Sequence, residues 1–140
     1  MIAKFFTSVL LFLILLTVSS SLSSPDLDCT SIRTGIFFQH KNGNQLYSTI
    51  IRQDTLQTEI NTQTGDTSYW KIRWTDNCTF SCNYLSGLKS KSKEELDFYN
   101  QSTLVFKVKT LNNEYYNYDA ELKFKTQSTF FSDTLWRQRK

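Results

Sequence analysis

Apolar and polar residues alternate along much of the chain after residue 30, and this period of two predicts β-strands. The clearest stretch is 67–75, where one face carries Trp70, Ile72 and Trp74. Its other face is mostly cationic or polar, as is typical of a strand with one buried side. A longer stretch, 114–126, repeats the pattern with an apolar face formed by Tyr116, Tyr118, Ala120, Leu122 and Phe124.

The same pattern predicts seven or eight strands, over residues 33–39, 46–52, 56–62, 67–75, 78–85, 103–110 and 114–126, with an edge strand at 130–136. Residues 87–100 interrupt the alternation, and we expect a short helix or a loop there. All other connections are of hairpin length, as Asn42-Gly43 illustrates, so the sheet should be an antiparallel up-and-down meander. Such a meander removes its edges by curling, which predicts an all-β barrel or half-barrel of the lipocalin type; an open sandwich is the alternative.

The first 24 residues have the three-part layout of a secretory signal peptide: Lys4, an apolar run at 5–18, and small or polar residues at 19–24. The apolar run is shorter than the roughly 20 residues that span a bilayer, so we expect cleavage and no transmembrane segment in the mature chain. Residues 25–140 then form a single domain. We expect a periplasmic or extracellular location without lipid at Cys29, because Asp28 precedes it where a lipobox has a small residue.

Composition supports the strand prediction and limits the partners. Aromatic residues make up 15% of the 140 residues, and such residues favour strands. Lys and Arg total 16 against 13 Asp and Glu, a net charge of +3. This excess is too small to indicate a nucleic-acid partner.

The chain has three cysteines, and export makes a disulfide plausible. Cys78 and Cys82 fall on one predicted strand, where residues four apart lie about 13 Å from each other. A disulfide needs Cα atoms within about 7 Å, so Cys29 would pair with one of the two and leave the other free. The alternative is three reduced, buried thiols. One distant histidine beside a C-x3-C spacing does not fit a zinc site.

The sequence offers little catalytic chemistry, and we expect neither an enzyme nor a bound cofactor or metal. His40, the only histidine, should be a solvated turn residue, and Cys82 a small buried apolar side chain. No nucleophile, phosphate-binding or metalloprotease motif occurs. The inward aromatic residues either line a ligand cavity or fill the barrel, because barrels of eight strands do both. The candidate ligand-binding residues are Trp70, Trp74, Tyr116, Tyr118 and Phe124.

Two segments resemble a family of short exported bacterial proteins with a lipocalin-like character. Its pattern is roughly C-x3-[KR]-T-G followed by W-x-[DN]-[DN]-C-x-[YF], and here Cys29-x3-Arg33-Thr34-Gly35 and 74–80 (WTDNCTF) are similar to it. The resemblance implies a lipocalin-like fold and a disulfide between Cys29 and Cys78, with Cys82 as a departure from the pattern. That family has no agreed function, and the DNA topoisomerase IV label that some copies carry has no support in these residues.

These observations predict an exported barrel that binds a small apolar or amphipathic molecule in its interior. The alternative is a protein-interaction or structural module of the cell envelope, with a solid core and no ligand. The sequence identifies neither the ligand nor a protein partner, and it leaves the oligomeric state open.

Overall fold

The computed structural model describes residues 27–42 and 44–138. Eight antiparallel strands, hydrogen-bonded in chain order, form a closed up-and-down barrel. They are β1 (Thr34–Lys41), β2 (Gln45–Gln53), β3 (Leu56–Asn61), β4 (Thr67–Trp74), β5 (Thr79–Ser86), β6 (Ser102–Leu111), β7 (Tyr115–Phe124) and β8 (Gln127–Trp136). A short 3-10 helix (Thr30–Ile32) precedes β1, and a helix, α1 (Lys93–Gln101), lies between β5 and β6. The predicted signal peptide lies outside the described residues.

The predicted antiparallel meander with one helical insert is confirmed. Of the predicted forms, the structure shows the closed barrel and not the half-barrel or the open sandwich. Strand β4 shows why the alternation was informative: Ser68, Trp70 and Ile72 are buried inside the barrel, whereas Tyr69 is 40% exposed outside it. Alternate side chains of a strand point to opposite faces, so every strand contributes one row to the interior. Among the described residues, no helix has the length and apolar character needed to cross a membrane.

The barrel has a closed end, where the described chain begins. The 3-10 helix lies across this end, and Cys29 and Ile32 are completely buried there. A disulfide joins Cys29 to Cys78, in the turn between β4 and β5. The strand geometry left open whether Cys29 pairs with Cys78 or with Cys82. The structure shows Cys29–Cys78, the pairing that the resemblance implied. Cys82 has no disulfide partner and is buried on β5.

The strand boundaries differ from the prediction most clearly between β7 and β8. A single strand was expected over 114–126, followed by a gap before an edge strand at 130–136. Instead β7 ends at Phe124, the chain turns at Lys125 and Thr126, and β8 begins at Gln127. Lys125 adopts the left-handed conformation (φ 52°) that tight hairpin turns require. No Gly, Asn or Asp marks this turn, so composition did not indicate it.

The barrel closes through a short seam. Strand β1 pairs with β8 only at Phe38–Trp136 and Gln39–Leu135. Over Gln127–Ser132, β8 extends past this pairing, and within the described chain its outer edge has no strand partner. Phe130 and Phe131 lie on this stretch and are 73% and 43% exposed. The seam is therefore a side of the described barrel where a sheet edge meets solvent.

Candidate functional site

A buried cation lies at the floor of the barrel interior. Arg52, on β2 near the closed end, is 2% exposed. Its Nε and Nη2 donate to Gln57 Oε1 at 3.2 and 2.9 Å, and Nη2 also donates to the Tyr116 hydroxyl at 3.0 Å. Its Nη1 donates to the carbonyl of Ile32 in the 3-10 helix at 2.9 Å. All of these acceptors are neutral, and the ion pairs of the described chain do not involve Arg52.

Three aromatic rings surround this guanidinium in place of a carboxylate. Its central carbon lies 5.1 Å from the ring centroid of Phe37, 4.7 Å from that of Phe80 and 5.9 Å from that of Tyr116. The faces of aromatic rings carry partial negative charge and attract cations. Because arginine keeps its proton in proteins, the interior holds a fixed positive charge that rings and neutral oxygens stabilise.

A polar wall runs from Arg52 toward the open end along β1, β2 and β3. Ser48 donates to Gln39 Oε1 at 2.9 Å, and Gln39 Nε2 donates across the seam to Asp133 Oδ2 at 2.6 Å. Glu59 follows two residues after Gln57 on β3. Burial raises the pKa of the Glu59 carboxyl above its usual range, and a contact with Ser48 only partly offsets this effect. The wall thus combines amides, a hydroxyl and a carboxyl whose pKa is raised by burial.

An aromatic wall faces the polar one and comes from β5, β6 and β7. Phe106 stacks on Phe80 with centroids 4.9 Å apart and meets Tyr118 edge-on at 5.2 Å. Tyr118 is 5% exposed, and its hydroxyl has no hydrogen-bond partner within residues 27–42 and 44–138. Burial is the largest cause that raises the pKa of Tyr118, with the charge of Asp133 adding to it. Burial likewise raises the pKa of Tyr116, so both tyrosine hydroxyls of this wall keep their protons at neutral pH.

The two walls enclose a cavity of about 220 Å³. Arg52, Gln57, Tyr116 and Tyr118 line it together with apolar side chains, so it is amphipathic in cross-section. A second space of about 450 Å³ forms the mouth of the barrel. Both spaces share three lining residues, Tyr47, Glu59 and Leu104. Ligand sites generally occupy about 300–1,000 Å³, so a ligand of ordinary size would occupy both spaces.

The insert between β5 and β6 forms one wall of the mouth. Its helix α1 begins with a capping box, in which Ser92 and Glu95 satisfy each other's backbone N–H groups. Tyr99 of this helix packs edge-on against Trp70 at 6.0 Å and contacts Tyr84 at 5.8 Å. The Tyr84 hydroxyl accepts the backbone N–H of Leu88 at 3.1 Å. These contacts hold the insert against the rim of β4 and β5.

The five candidate ligand-binding residues fall in three places. Tyr116 and Tyr118 line the inner cavity, and Trp70 lines the mouth. Trp74 lies at the closed end, where its indole N–H donates to the carbonyl of Asp54 at 3.0 Å and Arg33 covers its ring. Phe124 packs against Phe98 of α1 at 4.7 Å. The structure thus brings Trp70, Tyr116 and Tyr118 to the two spaces, and places Trp74 and Phe124 outside their linings.

The polar wall was not predicted from the sequence. Ser48, Ile50 and Arg52 form the buried row of β2, but Ile51 beside Ile50 breaks the alternation, so the inward face was ambiguous. On β3 the buried Gln57 is followed by Glu59 in a row of polar residues that resembles an exposed face. The available signal was the position of Arg52, which lies two and four residues after the inward Ile50 and Ser48 and so shares their face of the strand.

The remaining chemically active side chains lie away from solvent. His40 belongs to β1, where both ring nitrogens are buried with no hydrogen-bond partner in the described chain and the ring meets Trp136 edge-on at 6.4 Å; the expected solvated turn position is wrong. Burial raises the pKa of the Cys82 thiol to about 12. Among the described residues, no group of three His, Cys, Asp or Glu side chains is arranged to hold a metal ion.

Comparisons with known proteins add no relative. No protein-family model matches the chain, and neither does any curated protein or solved structure that was searched. The similarity to exported bacterial proteins noted from the sequence therefore stays a prediction, and the functional argument rests on the barrel itself.

Proposed function

We propose that this protein is a binding protein without catalytic activity, and that it holds a small amphipathic molecule inside its barrel. The observation that carries the proposal is the inner cavity, with hydrogen-bonding side chains on one wall, aromatic rings on the other, and a shared passage to the mouth. Small-molecule sites are typically apolar pockets lined by a small number of polar groups that converge on the ligand.

The leading test pairs two variants on adjacent residues of β6. Leu104 lines both spaces, whereas its neighbour Val105 lines a groove on the outside of the barrel. Leu104→Trp would fill the passage, and Val105→Trp adds the same ring outside. Native mass spectrometry of the protein purified from its own host would identify a bound small molecule. We expect the adduct with the wild type and Val105→Trp, and its loss in Leu104→Trp.

Two outcomes would refute the proposal. The first is a wild-type protein that carries no small molecule and shows no change in tryptophan fluorescence with any fatty acid, alcohol or aromatic acid of a broad panel. The second is equal binding by both variants, since a molecule whose binding is unaffected when the passage is filled does not occupy the interior. Circular dichroism must show that both variants are folded before the comparison is made.

We also propose that the protein works in an oxidising compartment outside the cytoplasm, periplasmic or extracellular. Two features support this location: the signal-like pattern of residues 1–24 and the Cys29–Cys78 disulfide. Disulfides form and persist mainly in such compartments. Fractionation of the host, followed by the mass of the mature chain, tests both the location and the cleavage site.

One observation favours a second candidate function, a protein-interaction module. The free edge of β8 carries the exposed Phe130 and Phe131 and has no charge, Pro or Gly between Gln127 and Ser132. Exposed edges of this kind pair with other strands unless they are blocked. A second copy of the chain fits this edge, because antiparallel pairing is compatible with two-fold symmetry. Sedimentation of the wild type and Phe130→Lys tests it: a dimer that Phe130→Lys dissociates supports the module, and a wild-type monomer refutes it.

A further inference from the structure

The floor of the inner cavity has hydrogen-bond donors to spare and few free acceptors. Arg52 donates four hydrogen bonds in the described chain, and its guanidinium has five N–H groups, so one N–H remains for a ligand. The Tyr116 hydroxyl accepts from Arg52, and neither its proton nor that of Tyr118 reaches an acceptor within the described chain. Gln57 Oε1 already accepts two of the Arg52 bonds. This end of the cavity therefore suits a ligand group that accepts several hydrogen bonds.

The electrostatics of the floor favour a negative group. Arg52 is a buried cation whose direct partners in the described chain are neutral, so an anion beside it would gain a strong, charge-assisted interaction. Two carboxyls also face the cavity region. Asp133 is already engaged, accepting from Gln39 Nε2 and from the backbone N–H of Thr134. Glu59 lies nearer the mouth, and the burial that raises its pKa reduces its repulsion of an entering anion.

We propose that the ligand is an amphiphile with a carboxylate group, and that it binds with this group inward, on Arg52, Tyr116 and Tyr118. This inference rests on the proposed binding function and specifies its ligand class. The apolar body of the ligand then extends past Leu104 toward the mouth, where Trp70 and Tyr99 provide aromatic surface. The opposite orientation would place the carboxylate at the rim, where Lys41 is the cation that lines the mouth without an ion pair in the described chain.

The test uses pairs of ligands that differ only in the head group. Octanoate, dodecanoate and phenylbutanoate are compared with octanol, dodecanol and phenylbutanol by calorimetric titration at neutral pH. A hydrogen bond to a charged group contributes enough to change affinity about tenfold. We therefore expect at least one acid to bind about tenfold or more tightly than its alcohol.

Three proteins locate the head group: the wild type, Tyr118→Phe and Lys41→Gln. Tyr118→Phe keeps the ring that packs on Phe106 and removes a hydroxyl that makes no hydrogen bond in the described chain, so the fold should be unaffected. We expect this variant to bind the acid about tenfold more weakly and the alcohol within a factor of about two of the wild type. Lys41→Gln should leave the preference for the acid unchanged.

The outcomes separate this inference from the broader proposal. If acids and alcohols bind equally well, the barrel is a binding protein but the carboxylate inference is wrong. If Lys41→Gln abolishes the preference while Tyr118→Phe keeps it, the head group lies at the rim and the inward orientation is wrong. If no acid or alcohol binds to the wild type, both the proposed function and this inference fail.

Discussion

Removal of the Cys29–Cys78 disulfide should cost the barrel a large part of its stability. The bridge joins residues that are 49 apart in the chain. For a loop of that length, the entropy lost by the unfolded chain amounts to about 4 kcal/mol in the loop-closure relation. For a domain slightly larger than 100 residues, a loss of this size lowers Tm by about 12–20 °C. We expect this change in a double variant, Cys29→Ser with Cys78→Ser.

The loss should be at least this large, because the bridge also holds the 3-10 helix on the closed end. Ile32 of that helix is fully buried, and its carbonyl accepts from Arg52. If the helix detaches, Arg52 loses a hydrogen bond, and exposure of the Ile32 side chain costs up to about 3 kcal/mol. A loss greater than about 4 kcal/mol would thus indicate detachment in the native state.

Urea unfolding followed by far-UV circular dichroism measures this effect. The oxidised wild type, the reduced wild type and the double serine variant are compared, and Cys82→Ala is the control for removal of a thiol from the core. We expect reductant to destabilise the wild type and Cys82→Ala but not the double variant. A double variant within about 1 kcal/mol of the oxidised wild type would contradict the chain-entropy argument. Sensitivity of the double variant to reductant would reveal a disulfide between two molecules through Cys82, because that variant keeps no other cysteine.

Three further substitutions test separate parts of the barrel by the same unfolding assay. His40→Phe should raise stability by about 1 kcal/mol, because it removes two buried nitrogens that have no hydrogen-bond partner among the described residues and keeps the ring beside Trp136; a loss would contradict this. Gly87→Ala should cost more than about 2 kcal/mol, because φ is 114° and the new methyl group would overlap the carbonyl of Thr67; near-wild-type stability would refute the clash. Burial raises the pKa of Glu59 above its ordinary 4.5, so the folded state holds this proton more tightly and loses stability as pH rises through the folded pKa. Glu59→Gln should therefore flatten the pH profile of stability above about pH 4.5, and an unchanged profile would refute the assignment.

The strands with one apolar and one polar face could be predicted from the sequence. In β4, bulky inward residues alternate with charged outward ones, so period and face were both clear. The hairpin-sized connections then led to the meander, and the removal of its exposed edges by curling led to a barrel or half-barrel. The turn after Phe124 could not be predicted, because Lys125 adopts its left-handed conformation through tertiary pairing of β7 with β8 and not through a local preference.

The site was only half predictable, for a different physical reason. Its aromatic wall has the usual apolar inward row, which is why Tyr116 and Tyr118 were candidates. Its polar wall inverts that pattern: Arg52 and Gln57 satisfy one another inside the barrel, so local sequence resembles a solvated face. A buried polar group is tolerated when it has hydrogen-bond partners, and one partner of Arg52 is Tyr116, 64 residues further along the chain. Such partnerships cannot be deduced from periodicity.

The two ends of the barrel differ in what holds them together, and this difference predicts where the proposed ligand would enter. At the closed end, the disulfide, the buried Ile32 and the hydrogen bonds of Arg52 act on the same few residues, so opening this end would break all of them at once. At the open end, α1 has no fully buried residue and is held chiefly by Tyr99 and by Phe98. Local opening is easiest where few buried contacts must break. If the barrel binds a ligand as proposed, we expect entry past α1, and the carboxylate-inward orientation then requires the head group to pass Glu59 before it reaches Arg52.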